Sequence, residues 1–140
     1  MLIKGGCLCR AVRYECRGAP LMTRVCWCRD CQYLAGGSGT VNVFFPTDAV
    51  TIQGATQTYS SAADSGNLMH RRFCPRCGTP LFAGSERRPH MMVVRAGTLD
   101  DPGLVQPIQT IWTSSAPHWA SIDDTLPRVE RQPPPPPPAG

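Results

Sequence analysis

Seven of the eight cysteines in this 140-residue sequence stand in three short clusters. Neighbouring cysteines within a cluster are separated by only one or two residues, so their Cβ atoms rarely reach the separation that a disulfide needs. The same spacing lets two sulfur atoms approach one Zn²⁺ at about 2.3 Å. The clusters therefore predict metal binding rather than disulfides. Their members are Cys7 and Cys9, then Cys26, Cys28 and Cys31, and finally Cys74 and Cys77.

Four of these thiols suit a closed structural zinc site. The segment Cys74-Pro75-Arg76-Cys77-Gly78 has the form of a zinc knuckle, in which Gly78 permits the positive φ that such a turn often needs. In an extended chain, residues i and i+2 point to the same face, so Cys7 and Cys9 can supply the other two ligands. Such a site would close a long loop and hold both halves of the fold together.

An incomplete coordination shell is predicted for Cys26, Cys28 and Cys31, which are the candidate catalytic residues. Three protein ligands plus one open position is the pattern of a catalytic zinc. Such a zinc can hold a further thiol as thiolate near neutral pH and can assist chemistry at a small carbonyl carbon. Since three thiolates donate much electron density, thiol exchange is favoured over hydrolysis. Water, a substrate thiol or a fourth protein ligand would fill the open position, and the protein candidates are Cys16, His70, His90 and His118.

The elements that must position these cysteines are predicted to be mostly β-strands. Short apolar or alternating segments recur between Gly, Pro, Asp and Ser breaks, which is typical of strands. One short helical turn is predicted after Cys31, ended by Gly36-Gly37, and residues 62–67 have loop composition. Strands are predicted at residues 11–16, 40–45, 50–53, 56–60, 69–73, 80–83, 91–96 (an apolar run) and 108–113.

Length and composition predict one domain at residues 1–131, followed by a proline-rich disordered tail at residues 132–140. Six of the 15 prolines form the run Pro133 to Pro138, which is expected to be extended and solvated. No apolar stretch approaches the roughly 18 residues needed to span a membrane, and the N-terminal residues do not resemble a signal peptide. A cytoplasmic location without membrane association is therefore expected, and a reducing cytosol favours metal over disulfides.

The formal charge of +4 does not predict nucleic-acid binding. It counts every cysteine as neutral, whereas metal binding deprotonates thiols. Seven thiolates around two Zn²⁺ ions change the sum by −3, which leaves about +1. A nearly neutral protein has no general attraction for phosphate.

Three ordered cysteine motifs and the sequence that follows them resemble a known family, over roughly residues 3 to 128. The match includes Phe73 before the third motif, Thr98-Leu99-Asp100 after it, and the pairs Ile111-Trp112 and His118-Trp119. The chain is similar to the glutathione-dependent formaldehyde-activating enzyme family, also called the CENP-V/GFA domain. It departs from the family pattern at Arg10, Trp27 and His118. If those three residues line the pocket, the acceptor thiol is expected to differ from glutathione.

This resemblance implies a mostly β fold, a β-tent of small antiparallel sheets stapled by zinc. It implies that Cys7, Cys9, Cys74 and Cys77 hold a structural zinc, and that a second, labile zinc lies on Cys26, Cys28 and Cys31. It also implies carbon–sulfur lyase activity, with formaldehyde and a small thiol such as glutathione as the founding substrates.

Three functional hypotheses follow. The first is a zinc-dependent carbon–sulfur lyase that acts on a thiol–aldehyde adduct similar to S-hydroxymethylglutathione, with Arg10, Arg71 or Arg72 holding a carboxylate of the thiol. The second is a non-catalytic zinc module that binds protein or nucleic acid. The third is a thiol redox sensor, in which Cys26, Cys28 and Cys31 release zinc on oxidation. A fixed fourth protein ligand on these three cysteines would favour the second or third hypothesis over catalysis.

Overall fold

Most of the chain forms β-strands, and a computed structural model describes residues 1–134. The described part holds ten strands, one α-helix and short 3₁₀ turns. The strands are β1 (Leu2–Gly6), β2 (Arg13–Arg17), β3 (Met22–Cys26), β4 (Thr40–Pro46), β5 (Val50–Gln53), β6 (Gln57–Ala62), β7 (Leu68–Phe73), β8 (Pro80–Ser85), β9 (Met91–Arg95) and β10 (Thr110–Ile111). The helix is α1 (Arg29–Ala35), and the turns are Thr47–Ala49, Ala96–Thr98, Pro102–Leu104 and Thr113–Ser115.

These strands form two sheets. The smaller sheet has the order β1-β2-β5, and the larger has the order β10-β3-β4-β9-β8-β7-β6. Neighbouring strands are antiparallel except β10 and β3, which are parallel. The predicted mostly β architecture is confirmed. None of the helices in the described residues is long and apolar enough to cross a membrane.

The main hydrophobic core lies between the two sheets. Ile3 and Tyr14 face it from the smaller sheet, while Phe45, Phe82 and Val94 face it from the larger sheet. Each of these five side chains is at most 2% exposed. The rings of Tyr14 and Phe82 meet edge to face, with centroids 5.2 Å apart. One face of the larger sheet is thereby covered, and its opposite face is left to form the site described below.

The predicted strand positions agree closely with most of the observed strands. Val50–Gln53 has the predicted bounds, whereas the strand predicted at 108–113 is reduced to Thr110–Ile111. Strands β1 and β3 were not predicted, since β1 ends in two glycines and β3 carries Arg24 among its few residues. Residues 91–96 are predicted to be a continuous apolar run, but the run contains Arg95, so the prediction is wrong at this residue.

The single predicted helical turn is a helix of seven residues that begins before Cys31 rather than after it. The side chain of Cys28 caps its N-terminus, because its sulfur accepts a hydrogen bond from the backbone N–H of Cys31. Its C-terminus is at Gly36, which has a φ of +70°, so the predicted end of the helix is confirmed.

The described chain continues past the predicted domain boundary. Gln132 accepts a hydrogen bond of 2.9 Å from the indole N–H of Trp112, and Pro133 is buried. The rest of the predicted tail, residues 135–140, lies outside the described residues.

Candidate metal centres

The first cysteine cluster joins two distant loops. Cys7 and Cys9 follow β1, and Cys74 and Cys77 lie between β7 and β8. Their four sulfur atoms lie within 4.8 Å of one another, with 3.6 Å from Cys7 to Cys9 and 3.7 Å from Cys9 to Cys74. Four sulfurs at 2.3 Å from a tetrahedral ion would lie about 3.8 Å apart. The cluster can therefore hold a metal ion, and its dimensions fit zinc.

Backbone groups around this first cluster point toward its sulfur atoms. The N–H of Val12 donates to Cys7 Sγ at 3.3 Å, and the N–H of Cys77 donates to Cys74 Sγ at 3.5 Å. Hydrogen bonds of this kind favour a thiolate over a neutral thiol. Gly78 has a φ of +76°, as the knuckle prediction requires.

Thr79 supports the first cluster, although sequence reasoning assigned it no role. Its hydroxyl oxygen accepts a hydrogen bond of 3.1 Å from the N–H of Leu8 and lies 3.1 Å from Cys77 Sγ. The hydroxyl hydrogen is therefore free to donate to the sulfur. Hydrogen bonding by Thr79 lowers the pKa of Cys77 to about 5. In the sequence, the position of Thr79 directly after Gly78 of the knuckle was the one signal that could have indicated this role.

The second cluster forms at the junction of β3 and α1. Cys26 ends β3, Cys28 caps α1, and Cys31 lies in the first turn of that helix. All three residues are buried, and their sulfur atoms lie within 4.8 Å of one another. This trio can hold a metal ion with three sulfur ligands.

Gln32 fixes the segment that carries the trio. Its side-chain amide donates to the backbone carbonyl of Trp27 at 2.9 Å and to that of Ser115 at 3.0 Å. Gln32 is itself buried, and its amide oxygen accepts a hydrogen bond from Arg29. These contacts attach the trio to the segment after β10, so the sulfur positions depend on a residue 83 positions further along the chain.

No fourth ligand from residues 1–134 completes the trio. The described residues include every cysteine, histidine and acidic residue, and no further ligand atom joins the three sulfurs. Cys16 lies in the core between the sheets, and His70 bonds to Ser60 at 2.7 Å through its ring nitrogen. His90 and His118 are exposed and are not members of the cluster.

The three thiols of the trio influence one another's ionisation. Hydrogen bonds with Cys26 and Cys28 lower the pKa of Cys31, whereas hydrogen bonds with Cys28 and Cys31 raise the pKa of Cys26. One thiolate within the trio is thus favoured, and ionisation of the other two thiols is opposed. A bound cation would reverse that opposition, because it attracts all three thiolates.

A comparison with known protein families shows the family of this chain. The family model described as "Glutathione-dependent formaldehyde-activating enzyme" matches residues 2–115, which is most of the chain. The chain belongs to this family. A relative from Halomonas elongata, named "Putative glutathione-dependent formaldehyde-activating enzyme", is 29% identical over 130 residues, which cover 88% of this chain and 82% of the relative.

A solved structure shows the same fold as this family member. It is a crystal structure of a Rhodobacter sphaeroides protein, with a TM-score of 0.58 and 21% sequence identity. The match covers 74% of this chain and 96% of that protein. At this identity the likeness concerns the fold alone.

In this member of the glutathione-dependent formaldehyde-activating enzyme family, a pocket opens directly beside the trio. Its cavity has a volume of about 100 Å³. Its walls combine the three cysteines with apolar side chains and four arginines, Arg24, Arg71, Arg88 and Arg95. A small anionic molecule can therefore reach the trio along a positively charged wall.

The structure separates the three arginines that the sequence suggested as carboxylate ligands. Arg71 lines the pocket, where it donates to Asp30 at 3.3 Å and to Ser61 at 3.1 Å. Arg72 points to the other face of the sheet and lies over the ring of Phe82. Arg10 is exposed and follows the first cluster in the chain, away from the pocket lining.

The three departures from the family pattern do not form the pocket. Arg10, Trp27 and His118 are all absent from its lining. Arg10 instead occupies a turn with a φ of +67°, a conformation that favours glycine. A thiol other than glutathione was expected only if these residues lined the pocket, so they give no reason to expect one. Arg24 and Arg95 were missed, although Arg24 stands two residues before Cys26 in the sequence and so faces the same side of a strand.

Proposed function

We propose that this protein is a zinc-dependent carbon–sulfur lyase that acts on the adduct of a small thiol with an aldehyde, similar to S-hydroxymethylglutathione. Family membership supports chemistry on glutathione and formaldehyde. The observation that carries the proposal is the trio of Cys26, Cys28 and Cys31, which has three sulfur donors, no fourth ligand from the described chain, and an adjoining pocket.

The reaction breaks one carbon–sulfur bond. The electron pair of that bond stays on the sulfur, the hydroxyl of the adduct loses its proton and becomes the carbonyl of the aldehyde, and the thiol takes up a proton. A Zn²⁺ ion held by the trio would supply Lewis-acid stabilisation of the thiolate that leaves. Cys26, Cys28 and Cys31 would hold the ion, and the pocket would surround the reacting sulfur with apolar and cationic groups and limit its contact with water.

The cationic wall suits the charge that this reaction develops. Arg24 and Arg95 line the pocket together with the trio, so their positive charges would stabilise a thiolate that forms next to them. Positive groups already in place favour charge that appears in the transition state, because they need no rearrangement. The arginines would thereby stabilise the transition state that cleavage to thiolate and aldehyde shares with the reverse addition.

The test combines metal content with the rate of thiol–aldehyde exchange. Freshly purified, reduced protein is expected to contain about two zinc ions per chain, and Cys28→Ser about one. The zinc-loaded protein is expected to accelerate exchange between glutathione and formaldehyde, measured by NMR exchange spectroscopy, and Cys28→Ser is expected to lose this acceleration while staying folded.

Two results would contradict the lyase. One is a zinc-loaded protein that neither binds small thiols nor changes the exchange rate. The other is a Cys28→Ser protein that accelerates exchange as well as the wild type does. Reversible zinc loss at low peroxide concentration without exchange activity would favour a redox sensor, and a salt-sensitive complex with nucleic acid would favour a binding module.

A further inference from the structure

The floor of the pocket is one face of the larger sheet, and two arginines lie in the same cross-strand row on that floor. Asn42 on β4 pairs with Arg24 on β3 and with Arg95 on β9. Directly paired residues point to the same face of a sheet. Because adjacent strands lie about 4.8 Å apart, the Cα atoms of the two arginines are separated by roughly 10 Å. The next row on this face places Cys26 of the trio opposite Thr40.

Both arginines are buried without a full set of partners. Arg24 is 5% exposed and Arg95 is 8% exposed. Among the described residues, three buried side-chain polar atoms have no hydrogen-bond partner: Arg24 Nε, Arg95 Nε and Ser85 Oγ. All three residues line this pocket. Buried polar groups are nearly always hydrogen-bonded, so the concentration of exceptions in one place indicates a site for a missing acceptor.

The hydrogen-bond acceptors near these two arginines do not pair with all of their N–H groups. One guanidinium nitrogen of Arg95 donates to Asn42 Oδ1 at 2.5 Å, and the Asn42 amide nitrogen donates to Thr40 at 3.1 Å. Arg24 lies over the ring of Phe44, with 4.7 Å from its guanidinium carbon to the ring centroid. Within the described chain neither arginine has a carboxylate within 4 Å, whereas Arg71 is paired with Asp30.

The charge around the trio is also unbalanced. Removing a guanidinium from water is unfavourable unless an anion compensates its charge, and arginine keeps its proton in proteins. The trio lines the same pocket as both arginines and would supply part of this negative charge. Three thiolates around a divalent cation retain one net negative charge, while two buried arginines face them. Arg88 and Asp64 also line the pocket, and their formal charges cancel. With zinc bound to the trio, one positive charge would therefore be left for a ligand.

We propose that Arg24 and Arg95 bind a carboxylate of the thiol half of the substrate, so that the pocket selects thiol–aldehyde adducts that carry a carboxylate. This inference rests on the lyase function proposed above. A guanidinium offers two parallel N–H donors to a carboxylate, and this geometry gives both affinity and orientation. The carboxylate then holds the substrate with its sulfur toward Cys26, Cys28 and Cys31. The two arginines are specificity-determining residues, and esters or cationic thiols are rejected.

The test uses zinc-loaded full-length protein and S-methylglutathione, a thioether that cannot react. Its affinity is measured by calorimetry and compared with that of its glycine monoethyl ester and its diethyl ester. At least one ester is expected to bind at least tenfold more weakly, and the monoester identifies which carboxylate is used. Equal affinity for the acid and both esters would overturn the proposal without any variant being needed.

Variants then assign the selectivity to residues. Arg24→Met and Arg95→Met are each expected to weaken binding of S-methylglutathione at least tenfold and to leave ester binding nearly unchanged. Arg24→Met removes a buried charge whose Nε has no partner, so the melting temperature of the free protein is expected to stay the same or rise. Arg95→Met also removes the hydrogen bond to Asn42 and is expected to lower the melting temperature. A variant that melts at lower temperature yet binds with wild-type affinity would mean a structural role and would overturn the proposal.

Arg72→Met is the matched control, because Arg72 faces the other side of the sheet. It is expected to bind like the wild type, and an equal loss of affinity in Arg72→Met would also overturn the assignment. Selective binding without any acceleration of exchange would contradict the lyase and leave the carboxylate site standing. Acceleration of exchange that is equally fast with glutathione and its diethyl ester would contradict the carboxylate site alone.

Discussion

The sulfur atoms of Cys9 and Cys74 lie 3.7 Å apart although 65 residues separate them in the chain. This contact brings the loop after β1 against the loop before β8. The separation is the one that two ligands of the same tetrahedral zinc would have. One metal ion at this position would therefore connect the two sheets of the fold.

The first prediction concerns the unequal roles of the two clusters. Cys77→Ser is expected to unfold or precipitate the protein, because a structural zinc contributes roughly 10–16 kcal/mol and a domain is stable by only about 5–15 kcal/mol. Cys28→Ser is expected to remain folded with one zinc fewer, since the trio lies within six residues. Thermal unfolding and zinc analysis measure both effects, and a cooperative, soluble Cys77→Ser protein would contradict the structural assignment.

The second prediction concerns acid release of the first zinc. Thr79 donates to Cys77 and lowers its pKa, so protons compete less well with the metal. Because protons and the metal compete for the sulfur, a lower thiol pKa moves zinc release to lower pH, and Thr79→Val should therefore release zinc at a higher pH. A shift of up to about one pH unit is expected for the loss of one hydrogen bond to a charged group.

The control for this experiment is Thr79→Ser, which keeps the hydroxyl. A chromophoric chelator reports zinc release as the pH is lowered. Thr79→Ser is expected to follow the wild type. Identical release curves for the valine and serine variants would show that the hydroxyl has no part in metal retention.

The third prediction concerns Gly5. A Cβ atom at this position would lie 2.3 Å from the backbone oxygen of Thr98 and 2.3 Å from the hydroxyl of Tyr14. Gly5→Ala must therefore displace backbone and is expected to lower the free energy of unfolding by about 1–3 kcal/mol. Gly97→Ala is the control, since no atom lies within 4 Å of its added Cβ. Urea unfolding compares them, and equal stability of both variants would refute the close approach.

The fourth prediction concerns Gln32, which satisfies the carbonyls of Trp27 and Ser115. Gln32→Met leaves both carbonyls without this donor, so a loss of about 1–3 kcal/mol for each one that stays buried is expected. The trio is expected to release its zinc more readily, because the segment that carries it loses an anchor. Zinc retention during dialysis and urea unfolding measure the two effects.

Tyr33→Ala provides the comparison for Gln32, since Tyr33 is adjacent on α1 and 78% exposed. It is expected to retain the second zinc and most of the stability. If Tyr33→Ala lost zinc as readily as Gln32→Met, the effect would belong to the helix as a whole and not to the two hydrogen bonds.

Much of the fold was predictable where sequence and local geometry agree. The strand at Val50–Gln53 and the end of α1 at Gly36 both have clear signals in their own residues, and both were predicted. Strand β3 was missed because Arg24 interrupts its apolar character. Its strand conformation depends on pairing with β4 and β10, which are distant in sequence.

The cysteine spacing by itself determined the grouping of ligands, because two thiols one or two residues apart can reach one ion whatever the rest of the fold does. Only the tertiary structure decided which groups meet. It brings Cys9 to Cys74, and it leaves the trio without a fourth ligand from the described chain. It also places Arg24 and Arg95 on either side of Asn42, which pairs with both. That row arises from strand register across three strands, and register is set by packing over long sequence separations.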